Sequence, residues 1–165
     1  MSASQGLDFY NISSLLSEEE IAVRDTVREW VNERILPIIE HHYEAGTFPM
    51  ELAKEMGELG FLGANLDGYG CPGLNNVMYG LICQELERGD SAVRSFCSVQ
   101  GSLVMFPIHA YGTEEQKQKW LPRLASGEAI GCFGLTEPDF GSNPGGMITR
   151  AEDCGDHYLL NGAKM

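Results

Sequence analysis

Gly131-Cys132-Phe133-Gly134-Leu135-Thr136-Glu137-Pro138-Asp139-Phe140-Gly141-Ser142-Asn143-Pro144-Gly145-Gly146 marks the point where a helical pattern gives way to an extended one. Ile130–Leu135 is a short apolar run suited to a buried strand. The chain then enters a loop dense in turn formers: Pro138, Asp139, Gly141, Asn143, Pro144, Gly145 and Gly146. Thr136 and Ser142 carry hydroxyls, and the glycines let backbone come close to another molecule. A strand that opens into such a loop can aim N–H groups at a polar, planar or anionic ligand. On composition alone an ordinary surface connection is the commoner explanation.

Upstream of this stretch the pattern is helical. Ser17-Glu18-Glu19-Glu20 is a capping box, and Val23, Val27, Trp30 and Val31 follow at helical spacing. Arg24, Asp25, Arg28, Glu29 and Glu33 take the wet side, and Pro37 ends or kinks this helix near Ile35. A second helix runs from about Pro49 to Gly60 with Leu52, Met56 and Leu59 inward. After a turn-rich connection at 63–73, a third (about Asn75 to Arg88) turns Val77, Leu81 and Leu86 inward. Gly89-Asp90-Ser91 interrupts, with Asp90 or Ser91 capping a fourth helix that Pro107 stops near Phe106. Thr113-Glu114-Glu115-Gln116 is a second capping box, followed by Trp120, Leu121 and Leu124 and closed by Gly127.

Past Gly127 the period becomes extended. Met147–Ala151 and His157–Leu160 are the next two strands, and Asn161-Gly162 is a strong hairpin signal that calls for a partner strand. Too few strands are present to bury two sheet faces, so the sequence reads as cut through a β-domain. The expected class is α+β: a lead-in over 1–16 with Phe9 and Tyr10 docking on the body, an all-α domain over 17–128, and the first strands of an incomplete β-domain over 129–165.

With 11 Lys+Arg against 24 Asp+Glu the net charge is −13, which argues against nucleic acid or an anionic membrane as main partner. The five cysteines lack CxxC spacing, so neither a disulfide framework nor a zinc site is expected. Cys71, Cys83, Cys97 and Cys132 read as small packing residues. His41 and His42 are adjacent and cannot share a helical face as metal ligands, so no metal is expected. No apolar run reaches the roughly 20 residues needed to cross a bilayer, and the amino terminus lacks signal-peptide character, giving a cytoplasmic expectation.

Leu135-Thr136-Glu137-Pro138 followed by Gly141-Ser142 resembles the flavin-loop signature of acyl-CoA dehydrogenases, and the segments Gln116–Leu124 and Tyr158–Lys164 are similar to that family as well. Glu85–Ser95, Ser98-Val99-Gln100, Leu103-Val104-Met105 and Gly68-Tyr69-Gly70-Cys71 most resemble its glutaryl-CoA dehydrogenase branch. The resemblance implies an FAD-dependent flavoprotein, an oxidoreductase acting on CH–CH groups of an acyl-CoA. In the glutaryl branch, loss of carbon dioxide to crotonyl-CoA follows. It also implies electron transfer to an electron-transfer flavoprotein, a homotetrameric intact enzyme, and a place in fatty acid and amino acid catabolism.

Phe133, Gly134, Leu135 and Thr136 are then expected at the flavin ring and Gly141 and Ser142 at its phosphate side, with Ser142 also near the acyl-CoA. The resemblance assigns Arg94 to the distal carboxylate of a dicarboxylic acyl-CoA, with Ser95 and Glu87 close by. A planar guanidinium grips a carboxylate with two bonds. From the residues alone, Arg94 is a surface or capping arginine paired with Asp90, and Glu87 a solvated helix-end carboxylate or a partner of Arg94. Asn143 departs from the family, where many relatives have Asp. The family's catalytic Glu lies in a carboxy-terminal helical domain, so no residue here is the base, and the chain alone is expected to be inactive. Two alternatives stay open: another short-chain acyl-CoA dehydrogenase or oxidase, and a non-catalytic helical interaction module.

Overall fold

Ser17 opens the first long helix as its sequence requires. Its side chain accepts from Glu20 N, and the Glu20 carboxylate accepts in return from Ser17 N at 2.9 Å. The computed structural model describes residues 8–165, so the first seven residues of the expected lead-in lie outside it. Phe9 and Tyr10 are exposed rather than docked, ahead of a 3-10 turn at Ile12–Leu15. The chain divides into two compact units, one ending at Gly131 and the other spanning Cys132–Met165. The fold is α+β, mostly helical with two small antiparallel sheets.

In the first unit α1 is Glu18–Trp30, α2 Ile39–Ala45, α3 Leu52–Glu58, α4 Asn76–Gly89, α5 Ser91–Ser98, α6 Phe106–Tyr111 and α7 Glu114–Ala125. Beyond α1 a π-helical turn at Val31–Ile35 precedes the break at Pro37. The short α2 lacks a side-chain cap on Ile38, which is why the sequence offers no start signal for it. A second π segment, Val99–Met105, joins α5 to α6 in one rod. This corrects the expected stop at Pro107. The wider π turn accommodates a residue that has no N–H to give, and the helix runs on to Tyr111.

The core is apolar. Val27, Val31, Ile35, Leu52, Met56, Leu62, Ile82, Leu86, Val93, Met105 and Leu121 are all buried in it. Trp30 packs edge-on to Phe61 at 5.5 Å between centroids and donates its indole N–H to Glu55 at 3.0 Å. Three expected inward residues are corrected. Leu59, Val77 and Trp120 are exposed because each lies to one side of its helix's buried stripe, which Met56, Met78 and Leu121 occupy. Arg28, expected on the wet side, reaches the buried Glu85 at 2.6 Å, and Arg88 meets the same carboxylate at 2.9 Å.

The connection at 63–73 contains a hairpin, β1 (Asp67–Gly68) and β2 (Cys71–Pro72), whose two-residue loop puts Tyr69 at φ 53° and Gly70 at φ 87°. Positive φ at both central positions is the type I′ hairpin geometry. The Tyr69 hydroxyl donates to Glu114 at 2.9 Å, fastening this hairpin to the start of α7.

The second unit holds β3 (Arg150–Asp153) and β4 (Tyr158–Asn161), paired antiparallel with Arg150 opposite Asn161 and Asp153 opposite Tyr158. Three strand expectations change here. Ile130–Leu135 joins no ladder among the described residues. The Met147–Ala151 strand begins three residues later, at Arg150, because the Ile148 and Thr149 amides are taken by a side chain rather than a neighbouring strand. Asn161-Gly162, expected to turn into a following strand, forms no turn among the described residues; β3 and β4 are joined by a separate turn at Cys154–His157, where Gly155 adopts φ 95° and its N–H donates to Asp153. Asn161 is the last residue of β4, and a Cβ at Gly162 would collide with Thr149, so this glycine serves a close crossing.

Candidate functional site

Two clusters carry the expected site residues, one in each unit. In the first, Asp90 caps α5 by accepting from Ala92 N at 2.8 Å and Val93 N at 3.0 Å. That commitment leaves Arg94 to another partner. Its Nε donates to Glu87 Oε2 at 2.6 Å across the α4–α5 corner, and its Nη1 to Ser98 Oγ at 3.1 Å. The reading of Arg94 as paired with Asp90 is therefore corrected to a pair with Glu87. Glu87 also accepts from the Ser91 hydroxyl at 2.6 Å. The hydrogen bond from Arg94, then that from Ser91, holds the Glu87 carboxyl below the usual carboxylate range, and Glu87 in turn raises Arg94.

Arg94 keeps Nη2 without an internal partner among the described residues, and its side chain is 35% exposed. The cluster is an anchored guanidinium with free donors, suited to receiving a second carboxylate. The hydroxyl beside the guanidinium is that of Ser98, one turn along the rod. Ser95 instead lines an open groove of about 400 Å³ with Phe48, Ala92, Phe96, Val99 and Gln100. Sequence reasoning gave Ser98 no role, although its spacing of four from Arg94 on a helix is the available signal.

Gln100 was likewise missed. Its amide is 1% exposed, donates to the carbonyls of Leu124 and Ala129 at 3.0 and 2.8 Å, and accepts from Gly131 N at 3.0 Å. A single buried amide thereby fixes the extended segment that leaves α7. The thiols behave as packing groups where they are covered: burial pushes Cys71 up to about 11 and Cys97 up to about 12. Cys132 is exposed, which corrects its expected packing role.

In the second unit, Phe133, Gly134, Leu135, Thr136, Gly141 and Ser142 are all exposed. None of their six backbone N–H groups has a hydrogen-bond acceptor among the described residues, and neither do the hydroxyls of Thr136 and Ser142. Unspent donors beside the apolar faces of Phe133 and Leu135 match a planar ligand with a polar edge. Beneath them lies a residue that sequence reasoning quoted without giving it a role. Glu137 is 2% exposed, with Oε2 accepting from Ile148 N at 2.9 Å and Oε1 from Thr149 N at 3.0 Å and Lys164 Nζ at 3.1 Å. The Ile148 N–H, with Thr149 and Lys164, pulls its carboxyl down to about 2. Lys164 Nζ also donates to Leu135 O at 2.9 Å, and Met165 N to Thr136 O at 2.9 Å. Pro138 and Asp139 form the tip of a tight turn closed by paired bonds between Glu137 and Phe140.

Comparison with known proteins gives one consistent result. Residues 17–128 match the family model described as acyl-CoA dehydrogenase, N-terminal domain. A crystal structure of a glutaryl-CoA dehydrogenase from Mycobacterium smegmatis, in complex with FADH2, superposes with a TM-score of 0.94 at 59% identity, covering 96% of this chain and 41% of that one. A probable acyl-CoA dehydrogenase of Bacillus subtilis, YngJ, is 41% identical over 90% of this chain and 40% of its own. A glutaryl-CoA dehydrogenase of Desulfococcus multivorans is 39% identical over 90% of this chain and 39% of its own. The chain thus spans about 40% of the length of these relatives. The match over the helical unit and the likeness in fold agree: this chain belongs to the acyl-CoA dehydrogenase family.

Proposed function

We propose that the chain is the amino-terminal part of a longer FAD-dependent acyl-CoA dehydrogenase of glutaryl-CoA type, with the all-α domain over 17–128 and the first part of a β-domain over 129–165. The observation that carries the substrate reading is the Glu87–Arg94–Ser98 cluster, in which a helix-borne guanidinium is held in place yet keeps free donors. Ser142 is a further candidate for the acyl-CoA. The likeness to enzymes of that name, one solved with reduced flavin, supports the reading.

For the cofactor, the residues present fit a flavin. Phe133 and Leu135 offer apolar surface, Thr136 and the unspent amides of 133–136 offer donors for the ring edge, and Gly141 and Ser142 offer a small, polar approach for phosphate. FAD bound there supplies the acceptor for a hydride leaving the β carbon of the thioester. The donors stabilise negative charge on the ring edge, and Arg94 fixes how far the acyl chain extends. Nothing in this chain serves as the base, so the chain alone turns nothing over, and with only part of a flavin site it binds FAD weakly. The longer enzyme passes its electrons to an electron-transfer flavoprotein and assembles as a homotetramer in the cytoplasm.

Arg94→Ala in the longer enzyme is the decisive test. Loss of a charged partner from a hydrogen-bonded pair costs about 2 kcal/mol or more, so kcat/KM for glutaryl-CoA falls at least ~30-fold while butyryl-CoA stays within about threefold. An equal fall for both substrates would overturn the dicarboxylate reading and leave a general short-chain enzyme. The resemblance to acyl-CoA dehydrogenases implies that a Trp-Ile-Thr segment packing on the flavin follows Met165, and reading the coding sequence past that residue checks this.

A further inference from the structure

Glu137 is the sole buried residue of its unit: every other residue from Cys132 to Met165 is exposed or half-exposed. A 34-residue unit would ordinarily be organised by apolar side chains, yet here a carboxylate occupies the interior. Four pieces of chain meet at it. The loop entry arrives at Leu135–Glu137, whose Leu135 carbonyl takes a bond from Lys164. The loop return arrives at Ile148 and Thr149, whose amides donate to the two carboxylate oxygens. The segment after β4 arrives as Ala163–Met165, with Ala163 O accepting from the Thr149 hydroxyl at 3.3 Å and Met165 N donating to Thr136 O. The fourth is the turn at Pro138 and Asp139, closed on Glu137 itself.

We infer that Glu137 and Lys164 are the positioning pair of the loop: together they set the spacing between its outgoing and returning limbs and so the direction of the Phe133–Thr136 amides. The carboxylate faces three donors, which an anion satisfies and a neutral side chain does not. Gln at 137 keeps the shape but replaces one acceptor by a donor, setting N–H against N–H or against the Lys164 ammonium. Lys164 bridges the carboxylate and the Leu135 carbonyl, so removing it frees the strand-like entry while leaving the return bonds in place. The pair does not touch the proposed ligand and acts only through backbone. Its functional weight rests on the reading of this loop as a flavin cradle.

The test reads the loop directly, in the 165-residue chain without added flavin, so a failed flavin reading leaves it intact. Amide hydrogen exchange and amide proton shifts are followed by NMR in Glu137→Gln, Lys164→Met and Lys164→Arg. In Glu137→Gln the Ile148 and Thr149 amides lose about tenfold or more of their protection and move upfield, as expected for loss of bonds to a charged acceptor. Lys164→Met lowers protection at Met165 and shifts the Leu135 and Thr136 resonances, and Lys164→Arg restores both. Protection at Leu86 and Val93, in the first unit, stays unchanged in all three and shows that the helical unit is folded, while protection in the β3–β4 ladder at Ala151 and Leu160 shows the same for the second. Wild-type protection at Ile148, Thr149 and Met165 in the two disruptive variants would overturn the inference, as would an Arg variant no better than Met.

Discussion

The unit ending at Gly131 and the unit Cys132–Met165 are held together by opposite means. The first places eighteen apolar residues in one buried cluster, and its few interior polar groups are paired. The second leaves all of β3 and β4 exposed, Leu159 and Leu160 included, and turns inward only a carboxylate. Apolar burial is non-directional and proportional to area, so the apolar cluster of the first unit responds to lost volume rather than to pH. A buried anion with fixed donors behaves conversely, and each difference can be measured.

Volume gives the largest contrast. Leu86→Ala, at a fully buried site, lowers stability by about 2–5 kcal/mol, whereas Leu159→Ala on the exposed sheet stays within about 0.5 kcal/mol. Chemical denaturation of the two variants measures the gap. Next comes the buried ion pair of the first unit: Glu85→Ala costs about 3 kcal/mol, the lower end of the range for breaking such a pair, since Arg28 and Arg88 both reach water. Glu85→Met keeps the buried volume and recovers part of that loss.

Acid sharpens the comparison. The Glu137 carboxyl has a folded value of about 2 against an ordinary 4.5, and its one charged neighbour among its hydrogen-bond partners is Lys164. A depressed carboxylate contributes fully above the ordinary value and is lost as pH falls through the folded one. The loop around Ile148 and Thr149 therefore keeps its order at pH 5 and loosens progressively between about pH 4.5 and 2, as amide shifts will record. A smaller loss follows from Thr113→Ala. It removes the acceptor for Gln116 N at the start of α7 and lowers the melting temperature in line with about 1 kcal/mol.

The same contrast explains what the sequence disclosed. Both capping boxes, the Asp90 cap and the Gly60 and Gly127 stops form as read, because each is a local arrangement fixed by neighbours within four residues. The passage of a helix through Pro107 was not legible, since a π segment carries no agreed sequence signal. In the second unit the hairpin signal of Asn161-Gly162 lost to a long-range demand. Gly162 is needed where its backbone crosses Thr149, and the turn that does form, Cys154–His157, is the separate link between β3 and β4. The loop residues were identified through their motif, but Glu137 within that motif was given no task, because its donors sit 11, 12 and 27 positions away. Ser98 and Gln100 escaped for a similar reason: their work is visible only once their partners are near.

Titration of FAD into the chain, followed by amide NMR up to millimolar flavin, tests the account most directly. It predicts shifts concentrated at Phe133, Gly134, Leu135, Thr136 and Ser142, with the buried amides of Leu86 and Val93 unmoved. Shifts scattered over the helical unit, or none at residues 133–142, would contradict it.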